Sequence, residues 1–194
     1  MASGAEKSIA DGLALAGWAV ADAFLDAALV QALARECREL ALEPAAVGRG
    51  TRHRDDALRG DRTHWLEAGA SAARDALLAR LDALRVALNE ACFLGLADVE
   101  AHFAHYPPGA RYVRHRDRFR DDDHRVVSLV VYLNADWDAP RNGGELRLYD
   151  TAGNAHDVAP LGGRAACFLS ADIEHEVLPA TRDRLSVAAW LRRR

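Results

Sequence analysis

The feature that most restricts the fold of this 194-residue chain is a change of hydrophobic period near Val99. Before it, apolar residues recur at helical spacing; after it they alternate or cluster in short runs, which is typical of β-strands. These eight runs cover residues 99–106, 111–117, 124–134, 144–150, 155–160, 164–170, 175–180 and 184–191. Eight short strands separated by Gly, Pro and Asn turns predict a sandwich or small barrel, and a double-sheet jelly roll is a natural eight-strand solution.

The first half of the chain, residues 1–98, predicts helices with one apolar face each. Asp26 and Ser71 precede two of these helical patterns and are suited to accept backbone N–H groups as N-caps. Single apolar faces need a surface to pack on. We therefore predict an α+β fold in which a double-stranded β-helix (jelly-roll) core, formed mainly by 99–191, carries the N-terminal helices on its outside. Residues 1–194 are expected to form a single domain.

Between the helical patterns, residues 42–60 lose periodicity and gain Gly, Pro and Arg. Such a stretch predicts a loop, and its length favours a functional one. We expect a flap near residues 44–65. A brief strand is predicted at residues 18–20, after the opening helix.

Composition excludes several classes of protein. The chain has 25 Lys and Arg against 29 Asp and Glu, a net charge of −4, which argues against a dedicated nucleic-acid binder. Its three cysteines form no CxxC pair, so we expect no disulfide scaffold and a reducing, cytoplasmic location. No uncharged apolar run is long enough for a membrane span, and Asp11 interrupts the segment that would otherwise imitate a secretory signal.

The strongest chemical motif is a histidine and a carboxylate two residues apart, His115 and Asp117. On a strand, residues at this spacing point to the same face. His175, at the start of a later strand, is the candidate third ligand. Two imidazoles and one carboxylate on one face of a metal are typical of non-haem Fe(II) oxygenases. A second such pair, His53 and Asp55, lies in the irregular loop and is interpreted as surface.

An arginine and a tyrosine strengthen this interpretation. Arg184 shares a strand face with Ser186 and Trp190, and its fork of donors is suited to bind a carboxylate with two hydrogen bonds. The hydroxyl of Tyr132, from an apolar strand, could reach the same carboxylate. The alternative is a rim arginine paired with Asp172 or Asp183. The remaining histidines are interpreted as surface or internally satisfied: His64, His102, His105, His124 and His156.

These residues carry a family resemblance that covers nearly the whole chain. The matching segments are Tyr106-Pro107, Tyr112 to Asp117, Tyr132 to Asp138, Gly143 to Arg147, His175 to Val177 and Arg184, with Arg59-Gly60-Asp61 and Trp65 upstream. Together they resemble the 2-oxoglutarate- and Fe(II)-dependent prolyl hydroxylases. The resemblance is closest to the branch of the hypoxia-inducible-factor prolyl hydroxylases and their bacterial relatives.

The resemblance implies a role for each matching residue. His115, Asp117 and His175 would be the iron ligands. Arg184 would bind the distal carboxylate of 2-oxoglutarate, with Tyr132 assisting, and Tyr106 would contact the cosubstrate near the metal. Two sets are implied on the substrate side: the wall residues Tyr112, Arg125 and Trp190, and the flap residues Arg59 and Asp61.

The implied reaction hydroxylates a prolyl residue of a protein with Fe(II), 2-oxoglutarate and O2, releases succinate and CO2, and could be supported by ascorbate. The bacterial relatives suggest a translation-factor GTPase as the substrate, with neither nucleic acid nor membrane as partner. Two alternatives remain at this point. One is the same reaction on another side chain, a free amino acid or a small metabolite, because the fold does not fix the substrate. The other is a non-catalytic metal-binding jelly-roll module.

Overall fold

Two of the described helices begin at the capping residues that the sequence predicts. The computed structural model describes residues 4–45, 58–118 and 124–194. Its helices are α1 (Gly4–Ala16), α2 (Ala27–Glu39), α3 (Ala72–Cys92) and the single turn α4 (Ala139–Asn142). The Asp26 carboxylate accepts the backbone N–H of Leu29 at the start of α2, and Ser71 accepts that of Arg74 at the start of α3. Both predicted N-caps are therefore present.

The strands form two antiparallel sheets. In chain order they are β1 (Trp18–Ala21), β2 (Glu43–Pro44), β3 (Arg62–Trp65), β4 (Asp98–Tyr106), β5 (Tyr112–His115), β6 (Arg125–Tyr132), β7 (Leu146–Tyr149), β8 (Ala155–Val158), β9 (Ala165–Leu169), β10 (Glu174–Val177) and β11 (Arg184–Arg192). The seven-stranded sheet has the order β1-β9-β6-β11-β4-β3-β2, and the four-stranded sheet has the order β5-β10-β7-β8. Each of the eight predicted runs overlaps one of the strands β4 to β11.

Two apolar layers hold these elements together. The first lies between helices α1 to α3 and one face of the seven-stranded sheet, and includes Leu33, Leu81 and Val187. The second lies between the two sheets and includes Leu148 and Phe168. Burial of this apolar area is the main favourable term in folding. The predicted fold class, an α+β jelly roll with helices packed on its outside, is confirmed.

The first half of the chain contributes more strand than its sequence predicts. Strands β2 and β3 extend the large sheet beyond β4. β2 lies within residues 42–60, which were expected to form a loop, and β3 lies within the flap expected near residues 44–65. These strands are short and polar, and they are held by backbone hydrogen bonds that hydrophobic periodicity does not reveal. The central part of the predicted flap and the second histidine–aspartate pair, at residues 46–57, lie outside the described residues.

None of the described helices is long and apolar enough to cross a membrane.

Candidate metal centre

Two neighbouring strands of the small sheet place two histidines side by side. His115 on β5 and His175 on β10 are register partners in an antiparallel pair, so their side chains lie on the same face. Asp117 follows two residues after His115. Its carboxylate oxygens lie 3.6 Å from His115 Nε2 and 3.7 Å from His175 Nε2. The ligand atoms of all three residues lie within 4.8 Å of one another, and all three side chains are largely buried.

Hydrogen bonds fix the orientation of these groups. His115 Nδ1 lies 2.7 Å from the carbonyl oxygen of Val113, so this nitrogen carries the proton and Nε2 is left as the ligand atom. The Ser128 hydroxyl donates to Asp117 at 2.7 Å, and it is also 2.8 Å from the Ser170 hydroxyl. The carboxylate is therefore held from the side of β6.

The electrostatics of the group suit a divalent metal. Although burial raises it, the imidazoles of His175 and His115 and the hydroxyl of Ser128 hold the pKa of Asp117 well below its ordinary value. Burial lowers the pKa of His175 to about 4. The site thus presents an ionised carboxylate and a neutral imidazole, the protonation states that metal ligands require. Two imidazoles and a carboxylate fit the expected Fe(II) and leave coordination positions open.

A cavity of about 230 Å³ opens beside the three ligands. Much of its wall is one face of the paired strands β4 and β11. Successive register pairs along this face are Tyr106 with Arg184, Ala104 with Ser186, His102 with Ala188, and Glu100 with Trp190. All of these residues except Glu100 line the cavity. The pairs form an ordered series that runs from the arginine at one end to the tryptophan at the other.

Arg184 is a buried cation with one nitrogen unpaired. It is 1% exposed; its Nε donates to the carbonyl of Gly144 at 2.8 Å and its Nη1 to the hydroxyl of Ser186 at 3.3 Å. Its Nη2 is buried without a hydrogen-bond partner, and it makes no ion pair with any carboxylate in the part of the chain that the structure describes. Asp183, a candidate partner in the rim interpretation, pairs with His105. An unpartnered buried guanidinium fits an anionic ligand.

Two tyrosines flank this guanidinium. The Arg184 carbon Cζ lies 5.1 Å from the ring centre of Tyr106 and 5.2 Å from that of Tyr132. The Tyr132 hydroxyl is buried without a hydrogen-bond partner, and burial raises its pKa to about 12. It therefore remains a neutral donor at physiological pH. The unpaired Tyr132 hydroxyl and Arg184 Nη2 fit the carboxylate of the expected 2-oxoglutarate.

Part of the cavity wall consists of arginines stacked on aromatic rings. The Arg125 guanidinium lies 3.7 Å from the ring centre of Trp190 and also bonds Glu100. The Arg59 guanidinium lies 4.6 Å from the ring centre of Tyr112. These four predicted substrate-side residues line the cavity: Arg59, Tyr112, Arg125 and Trp190.

Asp61, the fifth predicted substrate-side residue, does not line the cavity. Its carboxylate is fully buried and accepts two hydrogen bonds from Arg59, at 2.6 and 2.9 Å. It therefore holds Arg59 in place and makes no wall of its own.

Sequence reasoning missed three residues of the site. Ser128 and Ser186 orient Asp117 and Arg184, and His102 forms part of the wall. His102 was interpreted as a surface or satisfied histidine; it is 3% exposed and therefore not at the surface, and although its Nδ1 is satisfied by the carbonyl of Phe103, its ring lines the cavity. The period-two alternation of β4 carries the signal, since His102 and Tyr106 stand four residues apart and share a face.

Comparisons with known proteins agree with this geometry. Residues 101–192 match the 2OG-Fe(II) oxygenase superfamily. The chain is 31% identical over 191 residues to a hypoxia-inducible factor prolyl hydroxylase of Caenorhabditis elegans. This alignment covers 90% of this chain but only 26% of the length of that protein. A crystal structure of a prolyl-4-hydroxylase from Pseudomonas putida superposes on this chain with a TM-score of 0.90 and 49% sequence identity. The match covers 97% of this chain and 99% of the Pseudomonas putida chain.

A second solved structure supports the fold alone. It is a prolyl hydroxylase in complex with a hypoxia-inducible factor oxygen degradation domain peptide fragment from Trichoplax adhaerens. Its TM-score is 0.88 at 22% identity, over 96% of this chain and 88% of that one.

Proposed function

Since the chain belongs to the family of 2-oxoglutarate- and Fe(II)-dependent prolyl hydroxylases, we propose that it hydroxylates a prolyl residue of a protein substrate. In this reaction one atom of O2 enters a C–H bond of the proline and the other enters succinate, while CO2 leaves from 2-oxoglutarate. We assign the reaction to a single dioxygenase domain over residues 1–194.

His115, Asp117 and His175 would hold the iron. The metal supplies oxidising power toward an unactivated C–H bond, and three protein ligands leave positions for the cosubstrate and O2. The chain's own part is to keep the ligands deprotonated and oriented. The hydrogen bond from Ser128 and the contact between His115 and the Val113 carbonyl serve this role.

Arg184 and Tyr132 would bind the distal carboxylate of 2-oxoglutarate, with Tyr106 against the same molecule. Arg184 cannot rotate freely, because its Nε and Nη1 donate hydrogen bonds to the Gly144 carbonyl and the Ser186 hydroxyl. The remaining nitrogen is therefore directed by the protein before the cosubstrate arrives. Such preorganisation reduces the entropy lost on binding.

The substrate proline would bind against the part of the wall that carries these stacked arginines and rings. Tyr112 and Trp190 offer apolar ring faces to a proline, and Arg59 and Arg125 are fixed over those rings by their carboxylate partners. Closure of the cavity by the peptide would exclude water from the reacting centre. A protein substrate, with a translation-factor GTPase as the first candidate, and a cytoplasmic location in a bacterial cell belong to this proposal.

One observation carries the proposal. A two-histidine, one-carboxylate group and an unpaired buried arginine lie on the walls of the same cavity, beside aromatic rings suited to a proline. A metal-binding module without catalysis would have no need of the buried arginine. A small-metabolite hydroxylase would need neither of the two stacked arginines in the cavity wall.

Mass spectrometry of lysate proteins incubated with the enzyme, Fe(II) and 2-oxoglutarate tests the proposal. We expect a proline to gain the mass of one oxygen atom, with succinate formed alongside, and His115→Ala to abolish both. His156→Ala, a histidine paired with Asp150 on the small sheet, is the matched control and retains activity. Oxygen found on another residue type would contradict the assignment of proline as the target. Absence of succinate under all conditions would contradict the proposal that the protein is an enzyme.

A further inference from the structure

His102 is a buried titratable group that the proposed reaction does not use. It lies on β4, opposite Ala188 of β11, and faces the cavity. Its ring packs against two indoles that also contact each other: the ring centres of Trp65 and Trp190 lie 5.0 and 5.2 Å from that of His102 and 6.2 Å apart. The packing fixes the position of the imidazole at the wall where the substrate is expected.

The hydrogen bonds of His102 identify its tautomer. Its Nδ1 lies 3.0 Å from the carbonyl oxygen of Phe103, and a carbonyl only accepts, so Nδ1 carries a proton. Burial, together with the charge of Arg59, lowers the pKa of His102 to about 4. The ring is therefore neutral at neutral pH, and Nε2 bears a lone pair. Within the described residues, Nε2 has no hydrogen-bond donor.

A complementary group lies next to it. Trp190 Nε1 is a buried donor, and it too has no hydrogen-bond partner among the described residues. Buried polar groups are rarely left unsatisfied in native proteins. An unpaired acceptor and an unpaired donor on neighbouring rings of one cavity wall fit a ligand that offers both an N–H and a carbonyl oxygen. A peptide backbone offers this combination.

We propose that His102 Nε2 accepts a hydrogen bond from the backbone N–H of the residue that follows the target proline, which makes His102 a specificity-determining residue. This inference rests on the proposed function. Within a peptide, proline has no backbone N–H of its own. The nearest backbone donor is that of the following residue, which is attached directly to the carbonyl carbon of the proline.

The position of His102 in the cavity agrees with this role. Along β4 it stands four residues from Tyr106, a separation of about 13 Å on an extended strand. The cosubstrate is expected at the Tyr106 and Arg184 end. The His102 and Trp190 end is therefore left for the peptide that flanks the target ring.

The consequence is a rule for the substrate. A proline followed by a residue other than proline presents the required N–H. A proline followed by a second proline does not, and neither does free proline or a C-terminal proline. The rule distinguishes a prolyl residue inside a protein from free proline as the substrate. Composition and fold alone do not make this distinction.

Nitrogen NMR of the imidazole tests the first step. The protein is loaded with Zn(II), a diamagnetic substitute for the iron, and with 2-oxoglutarate. We expect His102 in the Nδ1–H form, with Nε2 unprotonated at neutral pH. An Nε2–H tautomer or a charged ring would overturn the proposal, whatever the activity of the enzyme.

Binding of two small probes tests the second step. N-acetylproline N-methylamide carries the N–H in question, and N-acetylproline methyl ester lacks it. In NMR titrations of the loaded protein we expect the amide to bind about 3- to 10-fold more tightly than the ester, as one hydrogen bond would give. The His102 Nε2 resonance should shift with the amide only.

Variants separate the hydrogen bond from packing. His102→Leu should abolish the preference for the amide, whereas His102→Gln, which keeps an acceptor, should retain part of it. His105→Leu is the matched control: His105 lies on the same strand but on its opposite side, where it pairs with Asp183. It should keep the full preference. Because the readout is a ratio of two affinities, a general loss of stability does not imitate the result.

Equal affinity for the two probes, or no binding of either, overturns the assignment of His102. Succinate formation with lysate proteins is measured separately on the iron enzyme. Succinate without discrimination between the probes would remove the role of His102 and leave the proposed reaction standing. Discrimination between the probes without hydroxylation would support the role of His102 and contradict the proposed reaction.

Discussion

The Ser128 hydroxyl donates a hydrogen bond to Asp117 Oδ2 at 2.7 Å and thereby connects the large sheet to the metal ligand that follows β5. Asp117 lies beyond the end of its strand, where the ladder of backbone hydrogen bonds no longer holds it. The hydroxyl from β6 supplies the missing constraint. Groups that orient metal ligands in this way contribute strongly to metal affinity.

We expect Ser128→Ala to weaken Fe(II) binding by about 10- to 100-fold, because the carboxylate loses its orienting donor. Metal affinity measured by competition with a chelator checks this value. Ser8→Ala, an exposed serine of α1, is the control and should leave the affinity unchanged. Equal affinity of the Ser128 variant and the wild type would show that Asp117 is held without the serine.

Arg184→Lys should raise the KM for 2-oxoglutarate by about 10- to 100-fold, because an ammonium group does not reproduce the planar fork of donors. Tyr132→Phe removes one neutral donor and should raise the same KM by only about 3- to 10-fold. Initial rates of succinate formation at varied 2-oxoglutarate give both numbers. A larger effect from the tyrosine than from the arginine would contradict the assignment of the carboxylate to Arg184.

Gly144 is a position where a side chain would disturb the arginine. Its φ is +77°, and an added Cβ would lie 2.9 Å from Ala180 Cβ and 3.4 Å from Arg184 Cδ. Gly144→Ala should therefore weaken 2-oxoglutarate binding by about 10-fold through displacement of Arg184. Gly153→Ala also has a positive φ but meets open space. It should lose only about 1 kcal/mol of stability and retain the affinity.

Asp61→Asn removes the charge partner of Arg59 from a buried position. Because an unpaired buried charge is costly, we expect the free energy of unfolding to fall by about 3 kcal/mol. Urea denaturation of the metal-free protein measures it. Asp82→Asn breaks an exposed pair with Arg85 on α3 and should change the value by less than about 1 kcal/mol. Similar losses in the two variants would mean that the Asp61 pair is not effectively buried.

The buried His102 should make the protein less stable in acid. Its pKa is lowered from 6.5 to about 4, so as the pH falls the unfolded chain takes up a proton before the folded one does. The free energy of unfolding is therefore unaffected by protonation of His102 above about pH 6.5. Between about pH 6.5 and pH 4 it decreases by up to about 3 kcal/mol, because the unfolded chain binds the proton more tightly.

Denaturation of the wild type and of His102→Gln at neutral pH and near pH 4 checks this value. The variant lacks the titrating ring and should show a smaller decrease. Parallel decreases in the two proteins would place the proton uptake elsewhere.

Much of this protein was predictable from the sequence alone. The change of hydrophobic period near Val99 predicted the strands β4 to β11, and the capping residues Asp26 and Ser71 marked two helix starts. The motifs around His115 and Arg184 predicted the family, which the comparisons confirm. These features could be predicted because spacing on a strand or helix is a local property that the chain carries wherever it folds.

The tertiary structure decided what depends on contacts between distant segments. The pairing of β5 with β10 brings His115 opposite His175, and only that register makes one ligand group of them. The pairing of β4 with β11 places His102 in the cavity wall beside Trp190, a position that the sequence did not distinguish from those of the other histidines. Local periodicity states which face a side chain takes, but the partner strand and its register, which depend on packing of the whole chain, determine what that face meets.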